Sequence, residues 1–124
     1  MKFTKDRPGG DAKVIRAYAP GRINVSDTLI SRSFILSPNR LIEDWPPQQY
    51  SDISLEHLQA ALELGPEILI IGTGPELHFP EARIMAEIQG RGIGLEVLDT
   101  AAACRTYNVL VSENRNVVAA LLMI

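Results

Sequence analysis

A loop near the middle of the chain carries the residues best suited to bind a ligand. It runs from Gly72 to Pro80 with the sequence GTGPELHFP, and it connects a run of β-branched residues to a segment with helical spacing. Open α/β sheets bind ligands at such strand-to-helix loops, where glycines allow close approach and free amides attract anions. Gly72, Thr73 and Gly74 are therefore candidate binding residues for a small molecule or an anion. The alternative is a purely structural turn.

The same loop lacks the residues that nucleotide-binding motifs require. A dinucleotide fingerprint would need glycine at position 77, where the chain has Leu77. A phosphate-binding P-loop would need Lys followed by Ser or Thr, and neither is present. Pro75 also removes one amide donor. The sequence therefore predicts no nucleotide cofactor and no other cofactor.

One cysteine and two histidines are the remaining candidates for catalysis or metal binding. Cys104 falls one turn inside a predicted helix, whose positive end would favour a thiolate nucleophile. Its neighbours at helical spacing are apolar, however, which favours a buried core residue. His57 and His78 are far apart in the sequence, and neither has a second ligand at metal spacing. We predict no catalytic residue and no metal site, with a triad assembled in three dimensions left open.

Two arginines and one tryptophan are candidates for contacts with a partner or an anion. Arg32 interrupts an apolar row, so it is either an edge residue with its charge in solvent or an ion-pairing residue. Arg105 lies near the N-terminal end of its predicted helix, where the helix dipole disfavours a cation. This position predicts a specific partner for Arg105: an acidic side chain, a carbonyl or a binding surface. Trp45 precedes two prolines and either closes the core or anchors a partner protein.

The first half of the chain is predicted to form short strands. Pro20-Gly21 predicts a type II turn between two of them, and alternating apolar residues across 28–36 predict the longest strand of this half. Residues 1–12 are polar and are predicted to form a flexible arm.

The second half alternates strands and helices, and this alternation positions the glycine loop. The predicted helix N-caps are Ser54 for the first helix and Asp99 or Thr100 for the last. Between them, another helix is predicted over residues 80–89. Short apolar runs predict buried strands at residues 67–71 and 93–98 and a hydrophobic strand at residues 116–124. The pattern predicts a single α/β domain over residues 13–124, in which helices cover a sheet and the N-terminal half adds a β-rich element.

The composition fits one globular domain in a reducing compartment. The chain has 124 residues, of which 46% are hydrophobic, and only one cysteine, which excludes an internal disulfide framework. No apolar run approaches the roughly twenty residues of a membrane helix. The N-terminus lacks the apolar core of a secretory signal, so we expect a cytoplasmic location without membrane insertion.

The formal net charge of −3 is divided unevenly between the two halves. Residues 1–50 have eight Lys and Arg against five Asp and Glu, whereas residues 51–124 have four against ten. A basic face opposite an acidic one helps to orient a protein partner, although surface charge also serves solubility. The basic residues are not interleaved with stacking aromatics, so we expect no nucleic-acid partner.

Several segments together resemble one known family. Residues 67–74 (EILIIGTG), Phe79-Pro80 and residues 100–110 (TAAACRTYNVL) are similar to the small domain family of unknown biochemical function that includes mitochondrial respiratory complex I assembly factor 3. Residues 23–25 and 33–36 with Trp45-Pro46 fit the same family, so the resemblance covers nearly the whole chain.

The resemblance implies both a fold and a way of working. It implies a three-layer α/β fold with a central mixed sheet, in which the last strand runs antiparallel to the others. It also implies association with proteins at the inner membrane for the mitochondrial relative, and it supplies no catalytic residues. We therefore expect a non-catalytic, assembly-factor-like interaction module whose partner is another protein, with a membrane-complex subunit as one candidate. The alternative is a small-molecule- or anion-binding protein, or an enzyme, that uses Gly72, Thr73 and Gly74.

Overall fold

The N-terminal half contributes a separate three-stranded sheet. The computed structural model describes residues 11–124, and in it β1 (Ile15–Ala19), β2 (Arg22–Val25) and β3 (Thr28–Ile30) pair antiparallel in that order. Gly21, at the turn between β1 and β2, has a φ of +81°, a conformation that glycine adopts without strain. The predicted β-rich element is therefore confirmed. The proposed arm, residues 1–12, lies almost entirely outside the described residues and stays a prediction.

A five-stranded sheet forms the centre of the domain. Its order is β5-β4-β8-β6-β7, with these bounds: β4 (Phe34–Ser37), β5 (Arg40–Ile42), β6 (Ile68–Gly72), β7 (Gly94–Leu98) and β8 (Val117–Leu121). β6 is parallel to both β7 and β8, whereas β4 is antiparallel to β8 and to β5. The predicted mixed sheet is confirmed.

The direction of the last strand differs from the one that the family resemblance implied. β8 is antiparallel to β4 alone and runs parallel to β6, so it is not antiparallel to the other strands. The reason lies in the connection, because a helix carries the chain from the end of β7 back across the sheet. A strand that follows such a crossover enters the sheet at the same end as the strand before it.

Within residues 13–124, three helices and one short 3₁₀ turn complete the domain. The turn spans Tyr50–Asp52, and the helices are α1 (Leu55–Leu62), α2 (Ala82–Gly90) and α3 (Thr100–Ser112). The Ser54 hydroxyl accepts a hydrogen bond from the amide of His57, and the Asp99 carboxylate accepts one from the amide of Ala102. Both caps agree with the sequence prediction, because each oxygen satisfies an amide that the first turn leaves free.

The central sheet separates two apolar cores, which gives the three-layer arrangement. On one face, the buried side of the three-stranded sheet and α3 pack against the sheet; on the other, α1, α2 and Trp45 do so. Strand β8 is buried on both sides. Val117, Ala119 and Leu121 face the first core, whereas Val118 and Ala120 face the second, together with Leu122 just after the strand. Such continuous burial matches its uninterrupted apolar sequence.

Two strand predictions were wrong in their details. Residues 28–36 do not form one strand, because the chain leaves the first sheet after Ile30 and enters the second at Phe34. Strand β7 is not buried on both faces, because it lies at the edge of the central sheet and none of its residues is fully buried. Both differences arise from strand pairing between distant segments. The local alternation of apolar residues does not specify which strands pair.

Candidate functional site

The predicted glycine loop lies where the carboxyl ends of the parallel strands meet. It leaves β6 at Gly72, next to the start of α3 and the end of β8. The amide of Thr73 donates to the carbonyl of Leu98 at 2.9 Å, and the amide of Leu122 donates to the carbonyl of Gly72 at 2.9 Å. The loop is therefore fixed to the strands on both sides of β6.

The three candidate residues make their polar contacts within the protein. The amide of Gly74 donates to the Thr100 hydroxyl at 2.8 Å, and the amide of Thr100 donates back to the carbonyl of Gly74 at 2.9 Å. The buried Thr73 hydroxyl donates to the carbonyl of Glu76 at 2.6 Å and accepts from the amide of His78 at 3.1 Å. An anion would have to displace these bonds before the amides of Thr73, Gly74 and His78 could bind it.

Thr100 and Leu121 pack closely against the backbone of Gly72. A Cβ atom at this position would lie 2.7 Å from Leu121 Cδ2, 2.9 Å from Thr100 Oγ1 and 3.2 Å from Thr100 Cα. The absence of a side chain thus lets the first residue of α3 rest against β6. Glycine at this position therefore accommodates the start of α3, and its part in ligand binding stays a prediction.

One cleft adjoins the loop at this edge of the sheet, and a second cleft lies next to the first. The first has a volume of about 200 Å³, and its wall includes Thr73, Gly74 and His78. The second has a volume of about 540 Å³ and is lined by Arg32 and Trp45 among others. Gln48 and Met123 line both clefts, which are therefore contiguous. The structure thus brings Arg32 to the same edge as the loop.

The two candidate arginines have different partners, and of the two only Arg32 lines one of these clefts. Its guanidinium is 3.2 Å from the Asp44 carboxylate, and both side chains are 71% exposed, so this pair contributes little stability. Arg105 donates to the Tyr18 hydroxyl at 2.8 Å, a contact that raises the pKa of the guanidinium. The specific partner expected for Arg105 is therefore a tyrosine of β1, and Arg105 is not among the residues that line the two clefts.

Sequence reasoning missed Asn108, which fastens β1 to α3. Its side-chain oxygen accepts from the amide of Ile15 at 2.9 Å, and its side-chain nitrogen donates to the carbonyl of Ile15 at 2.7 Å. The Tyr107 hydroxyl adds a bond of 2.7 Å to the carbonyl of Lys13. The only signal in the sequence is a polar residue next to buried positions of α3, which does not name a partner.

We expect Asn108→Ala to lower the free energy of unfolding by about 1–2 kcal/mol, because two hydrogen bonds to the β1 backbone are lost. Amide hydrogen exchange should accelerate at Ile15, and urea unfolding measures the stability. Thr106→Ala, at a half-buried position of the same helix, is the matched control. Equal effects of the two substitutions would contradict the assigned role of Asn108.

The environments of Cys104 and Trp45 favour structural roles. Cys104 is fully buried, and desolvation raises the pKa of its thiol to about 12, so the thiolate is not formed at neutral pH. Trp45 is buried, and its indole nitrogen donates to the carbonyl of His57 at 2.8 Å. It therefore closes the second core over α1.

Neither histidine lies in a metal site. His57 Nδ1 is 3.1 Å from the Ser54 hydroxyl and 2.9 Å from the carbonyl of Asp52. The His78 ring stacks on Tyr50 with 3.9 Å between centroids, and its Nε2 is 3.6 Å from the Glu76 carboxylate. Across residues 11–124, no three His, Cys, Asp or Glu side chains are grouped as a metal ion would need.

The outer part of the loop presents apolar side chains to solvent, a second feature that sequence reasoning missed. Phe79 is 63% exposed and Leu77 is 47% exposed. Tyr50 stacks on the intervening His78 and is itself exposed. Phe79 and Tyr50 also line a further cleft, of about 480 Å³, beside the start of α2. The flanking prolines 75 and 80, which restrict the backbone, were the available signal.

These features define a three-layer α/β domain. Its most distinctive loop is held by hydrogen bonds to neighbouring parts of the domain and exposes apolar side chains to solvent. The chain belongs to the family described as Protein of unknown function (DUF498/DUF598), whose sequence profile matches residues 15–122. The resemblance noted from the sequence is thereby confirmed.

Named relatives and a solved structure agree with this assignment. Over 111 residues, 88% of this chain, it is 36% identical to NADH dehydrogenase (ubiquinone) 1 alpha subcomplex assembly factor 3 of Danio rerio, and it spans 63% of that protein. It is 33% identical to the 13 kDa major membrane protein of Francisella tularensis, with 82% of this chain and 84% of that protein covered. A crystal structure from Bordetella parapertussis superposes with a TM-score of 0.85 at 37% identity, covering 91% and 97% of the two chains.

Within residues 11–124, no helix has both the length and the apolar character that crossing a bilayer requires.

Proposed function

We propose that this chain is a non-catalytic protein-interaction module that acts like an assembly factor and holds a subunit of a membrane complex. The name of the Danio rerio relative, at 36% identity, supports this class of function. Because this chain spans only 63% of that relative, the partner is proposed by its class and not by its name. A cytoplasmic location belongs to the same proposal.

The exposure of Phe79 and Leu77 on a fixed loop is the observation that carries the proposal. The hydrogen bonds of Thr73 hold the backbone on both sides of Leu77, and Pro80 is buried. Less conformational entropy is lost when a partner covers apolar side chains whose backbone is already held in place. Aromatic anchors of this kind carry much of the binding energy in protein interfaces.

Further clefts near the loop extend this surface. One is lined by Trp45 and Arg32 among others, and another by Tyr50 and Phe79 among others, so both apolar and charged side chains line these clefts. An apolar centre with charged groups at its rim is the usual anatomy of a protein interface. We place the partner on this surface, across the loop that contains Gly72, Thr73 and Gly74.

Affinity capture of the tagged full-length chain from its native cells, followed by quantitative mass spectrometry, tests the proposal. We expect a membrane-complex subunit at near-stoichiometric yield, and a loss of about tenfold or more in that yield with Phe79→Ser, because one interface anchor is removed. Val109→Ser is the matched control, since Val109 is 54% exposed but lies on α3.

Two outcomes of the capture would contradict the proposal. The first is that no subunit is captured in stoichiometric amounts. The second is that Phe79→Ser and Val109→Ser reduce the yield equally, since the loop would then have no special part in binding.

Binding of a small molecule or an anion beside Gly74 is the second candidate function. The cleft of about 200 Å³ that includes Thr73, Gly74 and His78 in its wall favours it. An NMR titration of the ¹⁵N-labelled chain with inorganic phosphate and small carboxylates distinguishes this candidate. Saturable shifts at the Gly74 amide would support it, and unchanged spectra would count against it.

A further inference from the structure

Within residues 11–124, the two sheets have four outer strands, and three of these are poorly suited to accept another strand. β3 and β5 have only three residues each. β1 has an irregular register between Ile15 and Ala17, and the Asn108 side chain occupies both backbone groups of Ile15. Short strands, bulges and side chains that cover the backbone are the usual means of protecting an edge from strand pairing.

Strand β7 lacks these protections. Its five residues pair one-to-one with β6 without a bulge, and within residues 11–124 no strand lies beyond it. It is the longest regular edge in the described part of the chain. A regular edge of this length can accept an extended segment through backbone hydrogen bonds.

The hydrogen bonds to β6 show which backbone groups of β7 point outward. The amide of Gly94 donates to the carbonyl of Glu67, and the carbonyl of Leu98 accepts from the amide of Thr73. Backbone groups alternate in direction along a strand, so Gly94, Glu96 and Leu98 face β6. The N–H and C=O groups of Leu95 and Val97 therefore face outward, which offers two donors and two acceptors.

The charge on this edge decides between two possible occupants. Glu96 is exposed at the middle of β7, Asp99 follows the strand, and residues 94–99 contain no Lys or Arg. If β7 paired with β7 of a second copy over its full length, Glu96 would lie opposite Glu96. Like charges directly opposite are destabilising, whereas a lysine or arginine in that place is favourable.

We propose that the outer edge of β7 binds an extended segment of a partner protein as a sixth strand, with a lysine or arginine of that segment beside Glu96. The segment alternates basic and apolar residues, and its apolar side chains extend the layer formed by Leu95 and Val97. This inference rests on the proposed interaction function and specifies one kind of partner segment.

NMR on the ¹⁵N-labelled full-length chain tests this proposal with two synthetic peptides. One peptide alternates valine with lysine, and the matched peptide alternates valine with glutamate. We expect the lysine peptide to shift the amides of Leu95 and Val97 and to slow their hydrogen exchange by about tenfold or more, because those amides become hydrogen-bonded. The glutamate peptide should leave both amides unchanged.

Two variants make the test specific to this edge. Val97→Pro removes an outward amide and leaves the ladder with β6 in place, so it should abolish peptide binding with little change in the fold. Glu96→Lys should reverse the preference, so that the glutamate peptide binds and the lysine peptide does not. The second variant keeps the test decisive if proline destabilises the strand.

Three results would overturn the proposal. They are unchanged Leu95 and Val97 amides with the lysine peptide, equal binding of both peptides, and a dimer of the wild-type chain that Val97→Pro dissociates. The last result would assign the edge to a second copy.

The capture experiment separates this proposal from the proposed function. A yield that is lost in Phe79→Ser but kept in Val97→Pro would overturn the strand proposal alone. Peptide binding at β7 without any captured subunit would support the strand proposal and contradict the assembly-factor function.

Discussion

Gly72→Ala is expected to lower the free energy of unfolding by about 1–3 kcal/mol, the usual effect of adding a methyl group to a well-packed core. Its new Cβ would lie 2.7 Å from Leu121 Cδ2, and the Leu121 side chain is completely buried, with little room to move. The same atom would lie 3.2 Å from Thr100 Cα, which can shift only if the start of α3 moves. Urea unfolding followed by circular dichroism measures the difference.

Gly90→Ala is the matched control for this substitution. Gly90 is the last residue of α2, and an added Cβ would meet nothing within 4 Å. Alanine is the better helix former, so this variant should be as stable as the wild type or more stable. If Gly72→Ala were equally stable, the close approach of α3 would not be the reason for glycine at this position.

The two variants also bear on the choice between ligand binding and a structural turn. A glycine kept for a ligand would tolerate alanine in the unliganded protein and would lose only binding. A glycine kept for α3 loses stability whether or not any ligand is present. The unfolding experiment therefore separates the two interpretations of Gly72 without knowledge of a ligand.

Local signals explain why much of the fold was predictable. The caps at Ser54 and Asp99 depend on residues within one helical turn, and the buried strand β6 depends on a short apolar run. Each of these signals lies within a few residues of the element that it determines. The same is true of the turn at Gly21, where the pair Pro20-Gly21 was sufficient.

The errors arose where contacts between distant residues decide the structure. Ile30 and Phe34 are both buried in the same core, so the alternation across 28–36 continues although the two residues belong to different sheets. The position of β7 at the edge depends on which strands flank β6, and no residue within β7 encodes that order. For such features the sequence pattern is compatible with several arrangements.

The position of the glycine loop at the edge of the sheet was predictable, but its hydrogen-bond partners were not. The glycine loop and Arg32 do lie at one edge of the central sheet, whereas Arg105 contacts Tyr18 on the other sheet. The closure of the loop depends on Gly74 and Thr100, which are 26 residues apart. Thr100 was visible in the sequence only as a possible helix cap.

Thr100→Val is expected to lower the free energy of unfolding by about 2–4 kcal/mol, because it leaves two buried backbone groups without partners. The Thr100 hydroxyl accepts from the amide of Gly74 at 2.8 Å and donates to the carbonyl of Leu122 at 2.7 Å. Thr100, Gly74 and Leu122 are all buried, so water does not replace the hydroxyl. Urea unfolding measures the loss, and hydrogen exchange at Gly74 should accelerate.

Thr100→Ser separates the hydroxyl from the methyl group. Serine keeps both hydrogen bonds and removes only a buried methyl, so it should lower the free energy of unfolding by about 1 kcal/mol. A valine variant no less stable than the serine variant would mean that the hydroxyl does not hold the loop. If valine instead releases the loop, Thr100→Val should weaken partner capture as Phe79→Ser does. It would do so although every exposed side chain of the loop is kept. A large loss of stability and a loss of capture in Thr100→Val, with capture kept and only the smaller loss of stability in Thr100→Ser, would link the buried hydroxyl to the binding surface.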